Sequence, residues 1–146
     1  MTGQSAYQSA SVQTADKVRI ISLLYDGAIS FLNQSKKRFE QGDIAGKGLF
    51  LGKTTAIIGE LSSCLNMEAG GEIATNLDRL YTYIIGRLVD ISTKNDRKGY
   101  DDVLRVLNEL RTGWKQMETD YRRANAKVTA APQAAGASSM LANVRA

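Results

Sequence analysis

The chain has 146 residues, 43% of them hydrophobic and 23% charged, with a formal net charge of +4. That length and apolar content support one packed domain and are too small for two of ordinary size. With no histidine and a single cysteine, Cys64, the composition excludes internal disulfides, Cys-His nucleophile pairs and the usual zinc ligand sets together.

Thirteen glycines against one proline is an unusual balance for a strand-and-turn protein, and it favours long helices. No run of about 18 apolar residues occurs, and the opening MTGQSAYQSASVQTAD has neither a basic leader nor an apolar core. The expectation is therefore a protein without a cleaved signal or a membrane span, at home in a reducing cytoplasm.

Residues 1–15 are polar and rich in Ser and Gln, which reads as a flexible N-terminal arm with Tyr7 and Val12 as its two groove-anchoring side chains. From Asp16, a plausible N-cap, Val18, Ile21, Tyr25, Ala28, Leu32 and Phe39 keep a three-four rhythm in which Ser35 is the one polar position. This first helix should end near Gln41, with Gly42 as its left-handed cap and Asp43 capping the next. It carries a second apolar stripe through Ile20, Leu24 and Phe31, wider than a single helix seam requires.

The second helix is expected from Ile44 to about Met67, with one stripe at Ile44, Gly48, Leu51, Thr55, Ile58, Ser62 and Leu65 and another at Phe50, Thr54, Ile57, Leu61 and Cys64. Glycines 46, 48, 52 and 59 each weaken an exposed helix by about 0.8–1 kcal/mol relative to alanine, so either a close backbone approach offsets them or the helix is simply less stable there. Gly52-Lys53-Thr54 imitates the end of a phosphate-binding loop, but the required first glycine is Lys47 and no strand precedes it. Gly48-x-x-x-Gly52 imitates a membrane dimer motif, yet Lys47 and Lys53 flank it.

A third helix is expected over Gly70–Asp96, with Ile73, Leu77, Tyr81, Ile84, Leu88 and Ile91 on its main face and Leu80 and Tyr83 beside it. The fourth has the cleanest pattern, Tyr100, Val103, Leu107, Leu110, Trp114, Met117 and Tyr121, with Asp101 and Asp102 near its start and Arg122-Arg123 at its end, as the helix dipole favours. Residues 124–146, rich in Ala and Ser around Pro132, read as a disordered tail in which Met140, Leu141 and Val144 are the only docking candidates.

Four long helices with short links predict an all-α, antiparallel up-down four-helix bundle over residues 16–123. Catalysis finds little support. The Glu-x-x-His pairs of di-iron bundles are absent, and Asp26, Glu60, Asp78 and Asp90 show no spacing that would bring two carboxylates to one site. No catalytic residue, metal or cofactor is expected. The +4 charge, with Lys36-Lys37-Arg38 as its best cluster, permits a basic nucleic-acid-binding or regulatory bundle as the alternative, although that cluster spreads around a helix end where the dipole already favours cations. The surplus apolar stripes point instead to binding of an amphipathic helix or an extended apolar segment.

The series Ala6-Tyr7-Gln8, Leu24-Tyr25-Asp26-Gly27-Ala28-Ile29, Gln41-Gly42-Asp43 and Leu65-Asn66-Met67-Glu68 continues through Gly70-Gly71-Glu72-Ile73-Ala74-x-Asn76-Leu77-x-x-Leu80-Tyr81-x-Tyr83, Asn95-Asp96 and Leu107-Asn108-Glu109-Leu110-Arg111-x-x-Trp114. In order and interval, from about Tyr7 to Met117, it resembles the flagellar export chaperone FliS family. The resemblance implies a cytosolic, non-enzymatic bundle that binds the disordered C-terminal segment of flagellin, prevents premature polymerisation and keeps it competent for the flagellar type III export apparatus. It also implies an N-terminal arm that covers part of the groove, through Tyr7 and Val12. Ala15-Asp16 replaces the Ser-Pro that often opens the family's first helix, and the tail after Arg123 extends past the likeness. The flagellin-binding surface is expected on the off-seam stripes: Ile20, Leu24 and Phe31; Phe50, Ile57 and Leu61; Leu80 and Tyr83.

Overall fold

The computed structural model describes residues 3–128, with side chains for 16–124 and for Ala126. They form four helices: α1 (Gly3–Glu40), α2 (Ile44–Ser63), α3 (Met67–Lys94) and α4 (Arg97–Val128). Each helix packs on its sequence neighbours and α4 closes against α1, giving the expected antiparallel bundle. The α1 packing on α2 and α4 is extensive, and that of α3 on either neighbour is much thinner.

The links follow from local chemistry. Gly42 has φ of 76°, and the Asp43 carboxylate accepts from the Gly46 amide at 2.9 Å, capping α2. The Asn66 side chain accepts from the Glu68 and Ala69 amides at 3.1 and 3.0 Å, so α3 begins at Met67 rather than at the paired glycines. Gly71 then interrupts it at φ 54°, ψ −132°, a combination that a side chain at that position would oppose. At the other end Asn95 adopts the left-handed conformation that stops α3.

Besides the start of α3, the end of α2 differs from expectation, at Ser63 rather than about Met67, and so do the two outer boundaries of the bundle. The α1 backbone is helical from Gly3, well before Asp16, because Ala6, Gln8, Ala10, Gln13 and Ala15 are adequate helix formers and no proline stops propagation. The side chains of Tyr7 and Val12, expected in the arm, lie outside the described ones. Helix α4 runs to Val128, past Arg123, and the docking candidates Met140, Leu141 and Val144 fall outside the described residues.

The core seam alternates steps of three and four. In α3 it is Ala74, Leu77, Tyr81, Ile84, Leu88 and Ile91. Ile73, expected in that seam, is 45% exposed: two successive four-residue steps from Tyr81 rotate it off the contact line, and Ala74 takes its place. In α2 the seam is Leu51, Thr54, Ile58 and Leu61, drawn from both expected stripes, together with Lys47, which was in neither, while Ile44 is 80% exposed on the first turn. At the centre the hydroxyls of Tyr25 and Tyr81 hydrogen-bond across the bundle, and Trp114 tilts against Tyr25 with ring centroids 6.4 Å apart.

The end holding the α1–α2 and α3–α4 links is tied by polar groups. The Ser35 hydroxyl donates to the Lys47 carbonyl at 2.9 Å, so the Tyr100 hydroxyl, 2.7 Å away, must donate to Ser35. Lys47, 5% exposed, donates to Asn95 Oδ1 at 2.7 Å and lies 4.7 Å from the Phe39 ring centroid. Burial lowers its pKa from the ordinary lysine value. Arg87 of α3 reaches Asp90 (3.1 Å), Asp96 (2.9 Å) and Asp102 (2.9 Å), fastening the start of α4.

Candidate functional site

Contacts settle which flank of each helix faces which neighbour, and that sorts the expected binding residues into two places. Along α3, Ile73, Asn76, Leu80 and Tyr83 recede from Arg87 in steps of four and three, so they share its flank. Arg87 bonds Asp102, and that flank therefore looks toward α4. From Asp102, Val106 is one turn on, and Leu110, Gly113 and Met117 continue in steps of four, three and four along the facing side. Val106, Leu110 and Met117 are half-buried against the core, Leu80 is half-buried, and Tyr83 is 44% exposed. The result is an apolar shoulder between α3 and α4 that no helix of the bundle covers among the described residues.

A second shoulder lies between α1 and α2. Phe31 stacks on Phe50 with centroids 6.1 Å apart and an interplanar angle of 25°. Ile57 fits over Gly27, where an added Cβ would meet its Cδ1 at 3.1 Å. Leu24 and Ile57 are half-buried, Ile20 is 53% exposed, and Leu23 beside it is also open. Because the helices follow one another around the bundle, this shoulder and the α3–α4 shoulder are on opposite sides.

Of the eight expected binding residues, Ile20, Leu24, Phe31, Phe50 and Ile57 come together at one shoulder, and Leu80 and Tyr83 stand at the other. Leu61 corrects the expectation. It is 2% exposed and belongs to the α2 seam, because a three-residue step from Ile58 carries it inward. Sequence reasoning missed Ile73, Leu23 and Val106; Val106 was detectable as an apolar residue one turn past Asp102 and outside the main stripe.

The exposed glycines of α2 are not explained by packing within the bundle. Nothing lies within 4 Å of a Cβ built at Gly48, Gly52 or Gly59. Asp26, whose role the sequence leaves open, joins α1 to α4 by accepting from Arg111 and Lys115, each at 3.3 Å. Asn76 is exposed on the α3 shoulder.

Among the described residues no three His, Cys, Asp or Glu side chains are grouped to hold a metal, and no described helix is long and apolar enough to cross a membrane. Fold and surface together define a four-helix bundle with two apolar shoulders. The family model described as "Flagellar protein FliS" matches residues 1–121, and the chain belongs to that family. It is 39% identical to the flagellar secretion chaperone FliS of Vibrio cholerae over 83% of this chain and 92% of that one. It is 41% identical to the flagellar secretion chaperone FliSB of Pseudomonas aeruginosa, over 78% and 94% respectively. The flagellar secretion chaperone FliS of Bacillus subtilis is 32% identical, over 82% and 88%.

Proposed function

We propose that this protein is a flagellar secretion chaperone that binds the disordered C-terminal segment of flagellin in the cytoplasm. By covering a segment that subunits use to polymerise, it keeps flagellin monomeric and presents it to the flagellar type III export apparatus. The role is one of binding, with no catalytic step and no cofactor.

The observation that carries the reading is the uncovered α3–α4 shoulder, Ile73, Leu80 and Tyr83 facing Val106, Leu110 and Met117. A disordered client loses ordering entropy on binding and needs a long apolar surface to offset it. The span from Ile73 to Tyr83 alone is about 15 Å of helix at 1.5 Å per residue, and the opposite shoulder adds Ile20, Leu24, Phe31, Phe50 and Ile57. Tyr7 and Val12 belong to the proposal as side chains that cover part of this surface before the client arrives.

Titration calorimetry with a flagellin C-terminal peptide tests it. Binding should show a negative heat capacity change, and Ile20→Asp with Tyr83→Asp, one change per shoulder, should weaken affinity at least about tenfold while the helices stay folded. Leu61→Ala should instead lower stability by about 2–4 kcal/mol with no client-specific loss. Unchanged affinity in the folded double variant would sink the site, and no binding by the unaltered protein would sink the function.

A further inference from the structure

Near the Phe31–Phe50 pair the α1–α2 shoulder changes from purely apolar to cationic. Lys53 Nζ lies 5.4 Å from the Phe31 ring centroid and 5.6 Å from that of Phe50, and the Arg38 guanidinium carbon is 5.9 Å from Phe50. Beside them a cavity of about 290 Å³ is lined by Gln34, Lys37, Arg38 and Gln41. Arg38 has Asp43 at 3.4 Å, while the nearby Glu40 is engaged by Arg97 at 3.1 Å and Lys36 by Asp101 at 3.1 Å. Lys37 and Lys53 form no ion pair among the described residues and are both exposed.

The α1 dipole accounts for Lys37 and Arg38, which lie in its last turn. It does not account for Lys53, which stands in the middle of α2. The Lys53 ammonium is held over two rings, and Arg38 lies both near the Phe50 ring and on the cavity wall. A carboxylate entering the cavity would therefore meet Lys37 and Arg38 with the Gln34 and Gln41 amides as further donors, while Lys53 adds positive charge at the rings. The rings are half-buried and already engaged by each other and by Lys53, which disfavours stacking of a nucleobase at this corner.

We propose that this corner selects a segment of the secreted client in which a carboxylate adjoins an apolar side chain. The apolar group packs at the ring edges and the carboxylate enters the cationic cavity. The inference rests on the chaperone reading and narrows it: the α3–α4 shoulder supplies apolar area, and the α1–α2 corner supplies charge-dependent register.

The test uses the full chain and its Lys37→Gln/Lys53→Gln variant against two flagellin C-terminal segments, one unaltered and one with its Asp and Glu changed to Asn and Gln. Neutralising either partner should weaken binding about five- to tenfold at low salt, and neutralising both should add little more, the non-additivity of a direct contact. The affinity of the unaltered pair should fall with salt, and that slope should flatten in the variant. Flagellin binding that ignores both sets of charges overturns this inference and leaves the chaperone reading standing, whereas absence of any flagellin binding overturns both. A third arm uses a short single-stranded oligonucleotide, and a larger loss for it than for the peptide in the lysine variant overturns the inference in favour of nucleic acid.

Discussion

Tyr25 and Tyr81 place two hydroxyls in a dry interior where each is the other's partner. Burial pushes the Tyr25 hydroxyl from its ordinary 10 up to about 12, and pushes Tyr81 further in the same direction with Tyr25 as an added repulsive charge. Tyr100 is raised by burial as well, against the lowering effect of its hydrogen bond with Ser35. A group that holds its proton more tightly when folded contributes stability in full below its unfolded pKa and loses it as pH rises through the folded value. Stability should therefore decline between about pH 10 and pH 12, with tyrosinate absorbance from the buried rings appearing together with loss of helical circular dichroism. Tyrosinate formation near pH 10 by all six tyrosines, with helicity intact, would contradict this account. Lys47 works the other way, since its buried ammonium is relieved by deprotonation.

At the scale of the element, the α3–α4 link is held by Arg87, whose guanidinium keeps Asp96 below the usual carboxylate range. A depressed carboxylate pKa contributes stability above the unfolded value, near 3.8, that is lost as pH falls through the folded one. Arg87→Gln should lower the unfolding midpoint at neutral pH and leave less stability to lose below about pH 4; equal acid sensitivity in the two proteins would remove Arg87 from that role. This link also shows why some of the fold was legible in the sequence and some was not. Five of the seven stripe residues of α4, Tyr100, Val103, Leu107, Trp114 and Tyr121, are buried, and Leu110 and Met117 pack half-buried at the edge of the core, because the stripe is apolar and regularly spaced. The α2 seam was hidden because two of its members are polar. Lys47 is satisfied by Asn95 and Phe39, and Thr54 donates to the Phe50 carbonyl at 2.8 Å. The distant Lys47 partners cannot be read from local periodicity. That hidden seam made Leu61 look like surface, and in α3 two successive four-residue steps made Ile73 look like core. Of the binding surface, the off-seam stripes were visible as surplus apolar residues, but their division between opposite shoulders depends on which flank faces which neighbour, and only contacts such as Arg87 to Asp102 decide that.

At the scale of the molecule, extensive α1 packing and thin α3 packing leave the bundle with a stiff side and an open one. If both proposed shoulders hold client, their placement on opposite sides means that a long client must run around the bundle rather than lie in one trough. Such a client is linked to itself, so whichever half stays attached keeps the other at high local concentration, and affinity rises without further contacts. The same arrangement makes removal sequential. A pull on one end of the client loads one shoulder at a time, much as tape is peeled, and the work is divided into two small barriers instead of one large one. Optical-trap extraction of bound flagellin should show two rupture steps, with the Tyr83→Asp change abolishing one of them; a single rupture in both proteins would mean that the client touches only one side.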